Sequence, residues 1–164
     1  MKKKLAAALS VMVLTVSGFA CAPADNFADT VLTKVSAAQN SDPKFSLGGI
    51  SLGMSFTEVK NILGEPVRQF DDDEFAFSNG LVVEIRKYDS TVEKIKTHQN
   101  GTATGAGVAV GMSAQRLSEI YGTADKVENE HNKTEYKYYG ANGCKIEFTV
   151  RNGVIDSIET EIHD

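Results

Sequence analysis

The apolar and polar positions of this chain fall into a pattern that occurs twice. Ile50-Ser51-Leu52-Gly53-Met54-Ser55 recurs 58 residues later as Val108-Ala109-Val110-Gly111-Met112-Ser113. The same offset maps Val59 on Leu117, Ile62 on Ile120, Leu63 on Tyr121 and Gly64 on Gly122. Two matching hexamers with four aligned positions behind them mark an internal duplication. Within each hexamer the alternate apolar residues predict an extended segment with one buried face. The glycine then permits a turn closed to other residues, and the serine suits a helix N-cap.

A short helix is predicted after each serine. Ser55 and Glu58 have the spacing of a capping box; Phe56, Val59, Ile62 and Leu63 line one face; Gly64 and Pro66 end the element. In the second copy Ser113 is the cap, Leu117, Ile120 and Tyr121 the face, and Gly122 the stop. Arg116 stands where the box needs glutamate, so the second helix start is expected to be weaker. Met54 and Met112 are expected to fill core beneath their helices.

Strands are predicted at 75–77, 81–85 and 92–97, and again at 136–139, 144–150 and 154–162. The offset grows to 63 here through a five-residue insertion, and Asn152-Gly153 is a strong hairpin-turn signal. The alignment sets Cys144 on Leu81, on the core-facing row with Ile146 and Phe148, where a thiol acts as a small hydrophobe. The expected class is therefore α+β: two tandem α-β-β-β repeats, with short helices packed on one face of antiparallel sheet. Repeat 1 spans 46–100, a glycine-rich joint 101–107, and repeat 2 108–164.

The chain begins as an address. Lys2-Lys3-Lys4 followed by apolar Leu5–Val16 reads as a signal peptide, too short to span a membrane. Ala22-Pro23-Ala24 fits ordinary cleavage after residue 24. Gly18-Phe19-Ala20-Cys21 also fits a permissive bacterial lipobox, in which case residues 1–20 are removed and Cys21 is lipidated. The expectation is an exported protein, either secreted or periplasmic or held at the membrane as a lipoprotein. Residues 25–45 then read as a tether, with Phe27, Val31, Leu32 and Val35 as its apolar positions.

Composition narrows the function. The 164 residues carry 17 basic and 22 acidic side chains, a net charge of −5, which argues against nucleic acid as a partner. Membrane contact is expected only through a lipid anchor. Two cysteines cannot build a disulfide framework.

Leu52-Gly53-Met54-Ser55, the short helix, the Gly64-Glu65-Pro66 stop and the strands after it resemble the SmpA/OmlA (BamE-like) domain of envelope assembly. Two copies in tandem resemble the β-lactamase inhibitor protein (BLIP-like) family. The resemblance covers residues 46–164. It implies helices on one face of an antiparallel sheet and a non-catalytic, protein-binding role.

Catalytic chemistry is sparse. His98, His131 and His163 have no metal-ligand spacing, and no nucleophile elbow, phosphate loop or dinucleotide fingerprint occurs. No catalytic residue and no cofactor is assigned, so an enzyme is not expected. Asp71, Asp72, Asp73 and Glu74 form the one dense acidic cluster, a weak candidate for calcium that lacks the spacing of an EF-hand loop. The sheet face turned from the helices is the candidate partner surface. It carries Glu84 and Arg86 in the first copy and Lys137, Tyr139, Lys145 and Glu147 in the second. The expected function is a protein-binding or assembly module of the bacterial envelope whose partner is another envelope or secreted protein. A calcium- or small-ligand-binding protein, or a secreted enzyme inhibitor, is the alternative.

Overall fold

A computed structural model describes residues 42–163; the signal segment, Cys21 and most of the tether lie outside the described residues. Among the described residues there are eight strands: β1 (Arg68–Gln69), β2 (Glu74–Ala76), β3 (Leu81–Arg86), β4 (Thr91–Thr97), β5 (Lys126–Glu130), β6 (Lys133–Tyr139), β7 (Cys144–Arg151) and β8 (Val154–Ile162). They form one antiparallel sheet in the order β1-β2-β3-β4-β8-β7-β6-β5. The halves of the sequence meet at its centre, where Ile95 opposes Thr160 and Thr97 opposes Ile158.

This overturns the expected class. The fold is mainly β, not α+β with tandem α-β-β-β repeats. Among the described residues the α-helices are α1 (Phe56–Leu63) and α2 (Gln115–Ile120), and each contributes a single fully buried side chain, Val59 and Leu117. Extended segments supply more of the core instead: Leu47, Ile50 and Leu52 from the first half, Val108, Ala109 and Val110 from the second, all at most 5% exposed. Two strands, β1 and β5, were not foreseen. Both lie at the sheet's edges, and their polar sequences lack the alternation that betrays a half-buried strand.

The repeated hexamers do the same work twice. The Gly53 N–H donates to the Val92 carbonyl at 2.8 Å, Val92 donates back to Met54 at 2.8 Å, and Phe56 donates to Ser90. Gly111 donates to Ile155 at 2.8 Å, Ile155 to Met112 at 2.9 Å, and Ala114 to Gly153. Both glycines need positive φ, +80° and +91°, a region that penalises any Cβ. Each hexamer is thus clamped onto the first residues of a central strand.

Local details sort by chemistry. The capping box at Ser55 and Glu58 is formed, whereas α2 begins without a side-chain cap. Cys144 lies buried on the core row at 3% exposure. Met54 packs against the core, but Met112 is 37% exposed, so it does not fill core as expected; its sulfur turns back to accept from the Ala109 N–H. The 101–107 joint is pinned rather than loose: Gly101 donates to Val110, Thr104 to Val108, and Gly48 donates to Ala103. Residues 42–45 of the supposed tether belong to the body. Phe45 is buried, and its carbonyl accepts from the Thr160 hydroxyl in the core.

Candidate functional site: the open face of the sheet and its turns

Alternation along the strands fixes which side chains face away from the core. In β3 and β7 the buried rows are Leu81, Val83, Ile85 and Cys144, Ile146, Phe148, Val150. Glu84, Arg86, Lys145 and Glu147 therefore stand on the opposite face, and Lys137 and Tyr139 join them through pairing with Glu147 and Lys145. The six residues expected at a partner surface do share one face.

Most of them are already engaged. Glu84 pairs with Lys94 at 3.1 Å, Lys94 with Glu161 at 3.5 Å, and Glu161 with Lys145 at 2.6 Å. The row continues from Lys145 to Glu147 at 3.7 Å, from Glu147 to Lys137 at 3.3 Å, and from Lys137 to Glu128 at 2.5 Å. Lys126 closes it at 2.8 Å from Glu128. Signs alternate at every step across six strands. Exposed single pairs contribute little, but in a row each side chain is held by two neighbours, so ordering one costs less entropy.

The electrostatics follow from this row. Hydrogen bonds from Lys126 and Lys137 pull the Glu128 carboxyl down to about 2. Lys137 is raised, chiefly by its hydrogen bond to Glu128. Burial opposes the charged forms of Lys145 and Glu161, yet their mutual hydrogen bond wins, raising the lysine and lowering the glutamate. Glu93 behaves oppositely. A register shift at Glu84/Ile85 leaves it outside the ladder, and burial followed by the nearby Glu84 charge raises its carboxyl. Nothing in the sequence flagged Glu93, because a bulge is not visible in a hydropathy pattern.

Arg86 and Tyr139 differ from the rest. Tyr139, at the end of β6, is 47% exposed, and its N–H donates to Asp125. Arg86 clamps the turn between β3 and β4, donating to both Asp89 oxygens at 3.2 and 3.0 Å and to the Thr91 hydroxyl at 2.9 Å. Its guanidinium lies 4.8 Å from the Tyr88 ring centroid, and Tyr88 is 80% exposed. Sequence reasoning passed over Tyr88 although an aromatic inside Lys87-Tyr88-Asp89-Ser90, an otherwise polar turn, was a readable signal.

The acidic cluster occupies the neighbouring turn between β1 and β2. Its members do not converge: Asp73 pairs with Lys87 at 3.0 Å, while Asp71 accepts from the Asp72 N–H. Among the described residues no three His, Cys, Asp or Glu side chains are gathered as a metal would need. A trough of about 200 Å³ on the open face is lined by Lys96, His98, Lys133, Glu147, Arg151 and Asp156, a mixed-sign set. A groove of about 470 Å³ lies on the other side, between α2 and β5–β6, lined by Ala114, Leu117, Val127, Tyr136 and Tyr138. Among the described residues no helix is long and apolar enough to cross a membrane.

No family model matches the chain, and no curated protein is significantly similar to it. A crystal structure of a DUF4309 family protein (YjgB) from Bacillus subtilis subsp. subtilis str. 168 is similar at a TM-score of 0.47 and 16% identity. The match covers 66% of this chain and 78% of that one. A likeness at that level carries no functional argument.

Proposed function

We propose that the protein is an exported, non-enzymatic binding or assembly module of the bacterial cell envelope, and that its partner is another envelope or secreted protein. The observation that carries this reading is the open sheet face itself. Glu84, Lys137, Lys145 and Glu147 are tied there into one ordered row, with Arg86 and Tyr139 at its margins. Such a face is rigid before a partner arrives, so little side-chain entropy is lost on contact. Its alternating charges reject mismatched surfaces more strongly than they attract any one sign. The resemblance of Leu52–Ser55 and its surroundings to SmpA/OmlA and β-lactamase-inhibitor repeats points the same way. Export rests on the basic and apolar segment before residue 25, and lipidation at Cys21 is the form of anchoring it would use.

The test is reciprocal co-purification from the native envelope followed by titration of the purified pair. Tyr139→Ala, at a side chain 47% exposed and outside the ion row, should weaken binding at least about tenfold with melting little changed. Turnover of a substrate, abolished by replacing one titratable residue without loss of fold, would overturn the reading. For the anchor, Cys21→Ser should move the protein from the membrane to the soluble fraction. Soluble recovery of both forms would establish ordinary secretion.

A further inference from the structure

We infer that the paired turns at 70–73 and 87–90 are the contact point for a protein partner that presents an apolar pocket rimmed by lysine or arginine. The inference rests on the binding reading above and names where and with what chemistry that binding occurs.

Two aromatic rings are held out to solvent here. Phe70 is 50% exposed and Tyr88 80% exposed. Each has an arginine on one side: Arg68 lies 4.7 Å from the Phe70 centroid and Arg86 4.8 Å from that of Tyr88. Arg86 is itself fixed by its three hydrogen bonds to Asp89 and Thr91. The turns are joined, because the Ile85 N–H donates to the Asp73 carbonyl at 2.8 Å and Lys87 meets the Asp73 carboxylate. Aromatic and arginine side chains in a pre-ordered setting are the composition of interface hot spots.

The fold does not require this arrangement. The corresponding turns of the second half are His131-Asn132 and Asn152-Gly153, which carry no large apolar group. Charge selects the partner. Asp71 and Asp72 beside the rings carry no salt bridge among the described residues, whereas Asp73, Asp89 and both arginines are engaged. Carboxylates without a salt bridge, next to exposed rings, favour a basic rim around an apolar pocket. They also disfavour an anionic membrane surface, which would repel them.

The experiment places benzoylphenylalanine at position 70 or 88, and for comparison at 139 or 149 on the sheet face, in the full-length chain within its native envelope. Cross-linked proteins are identified and purified for titration. The expected result is a cross-link from 70 and 88 to a protein whose affinity falls about tenfold or more with Tyr88→Ala. Tyr88→Phe should retain most of that affinity, and melting should be unchanged in both variants. Joint Asp71→Asn and Asp72→Asn should slow association at low salt and flatten its salt dependence. Cross-links from 139 or 149 alone, to a protein that Tyr88→Ala binds as tightly as wild type, would overturn the assignment to the turns and leave the binding reading standing. No cross-link from any position would overturn both. Tyr88-dependent binding to phosphatidylglycerol vesicles, without a protein partner, would overturn it in favour of lipid.

Discussion

Phe56 and Ala114 occupy the same place in the two halves of the molecule, and the space beside them is filled in one half and open in the other. Both follow the serine of the repeated hexamer, and both donate their N–H to the turn before a central strand. Phe56 packs its ring 4.5 Å from that of Phe75 and closes the space between α1 and β2. Ala114 leaves the matching space open as the groove beside Tyr136 and Tyr138. The clamp made by backbone hydrogen bonds is preserved, while the side chains that fill the space beneath it are not. Backbone bonds cannot be lost without orphaning a buried group; a filling side chain can be exchanged at a cost of a few kcal/mol.

The largest test of this comparison separates the halves. A chain ending at Thr104 would leave β4 without its β8 neighbour, and a sheet that small barely offsets its chain entropy. It should show no cooperative melting transition; native-like melting would mean the halves are independent.

Exchange of the filling residues comes next. Phe56→Ala should destabilise by about 2–4 kcal/mol, since its half-buried ring is lost and a cavity remains. Ala114→Phe should be neutral or stabilise by up to about 1 kcal/mol by occupying the groove. Denaturant titration checks both, and equal losses at the two sites would erase the asymmetry.

The two clamps should respond alike. Gly53→Ala and Gly111→Ala should each cost at least about 1 kcal/mol from positive φ. An added Cβ at Gly111 would meet Asn100 Oδ1, but that exposed side-chain end can swing aside, so the backbone strain sets the cost there as well. The helix starts give a smaller contrast in the same assay. Ser55→Ala should cost about 1 kcal/mol, while Ser113→Ala should cost only a few tenths, since α2 has no side-chain cap.

The smallest effect lies in acid. Lowered carboxyls, Glu128, Glu135 and Glu161 on the second-half strands, contribute stability that is present above the ordinary value of 4.5. That contribution is lost as pH falls, for Glu128 down to about 2. Glu93 in the first half is raised, so its contribution falls as pH rises through its titration. Glu93→Gln should therefore raise the melting temperature at pH 7 more than at pH 4, whereas Glu161→Gln should lower it at pH 7. Parallel shifts at both pH values would refute the assignment.

The duplication, the capping box, the positive-φ glycines and the burial of Cys144 were legible in the sequence. Each is written by a few neighbouring residues whose chemistry is local: a missing Cβ, a hydroxyl three residues from a carboxylate, an apolar row of period two. Glu84, Arg86, Lys137, Tyr139, Lys145 and Glu147 were placed on one face by that same period. Only the tertiary structure decided the class. Helix signals are dense per residue and so dominate a reading by motif, yet the two helices bury one residue fully each and extended segments supply more of the core. It alone also revealed the polar edge strands β1 and β5, the surface position of Met112, the bulge at Glu93, and the pairing that turns separate charged residues into one alternating row. Those features depend on which strands become neighbours, and strand neighbours here lie up to tens of residues apart, beyond what any local pattern encodes.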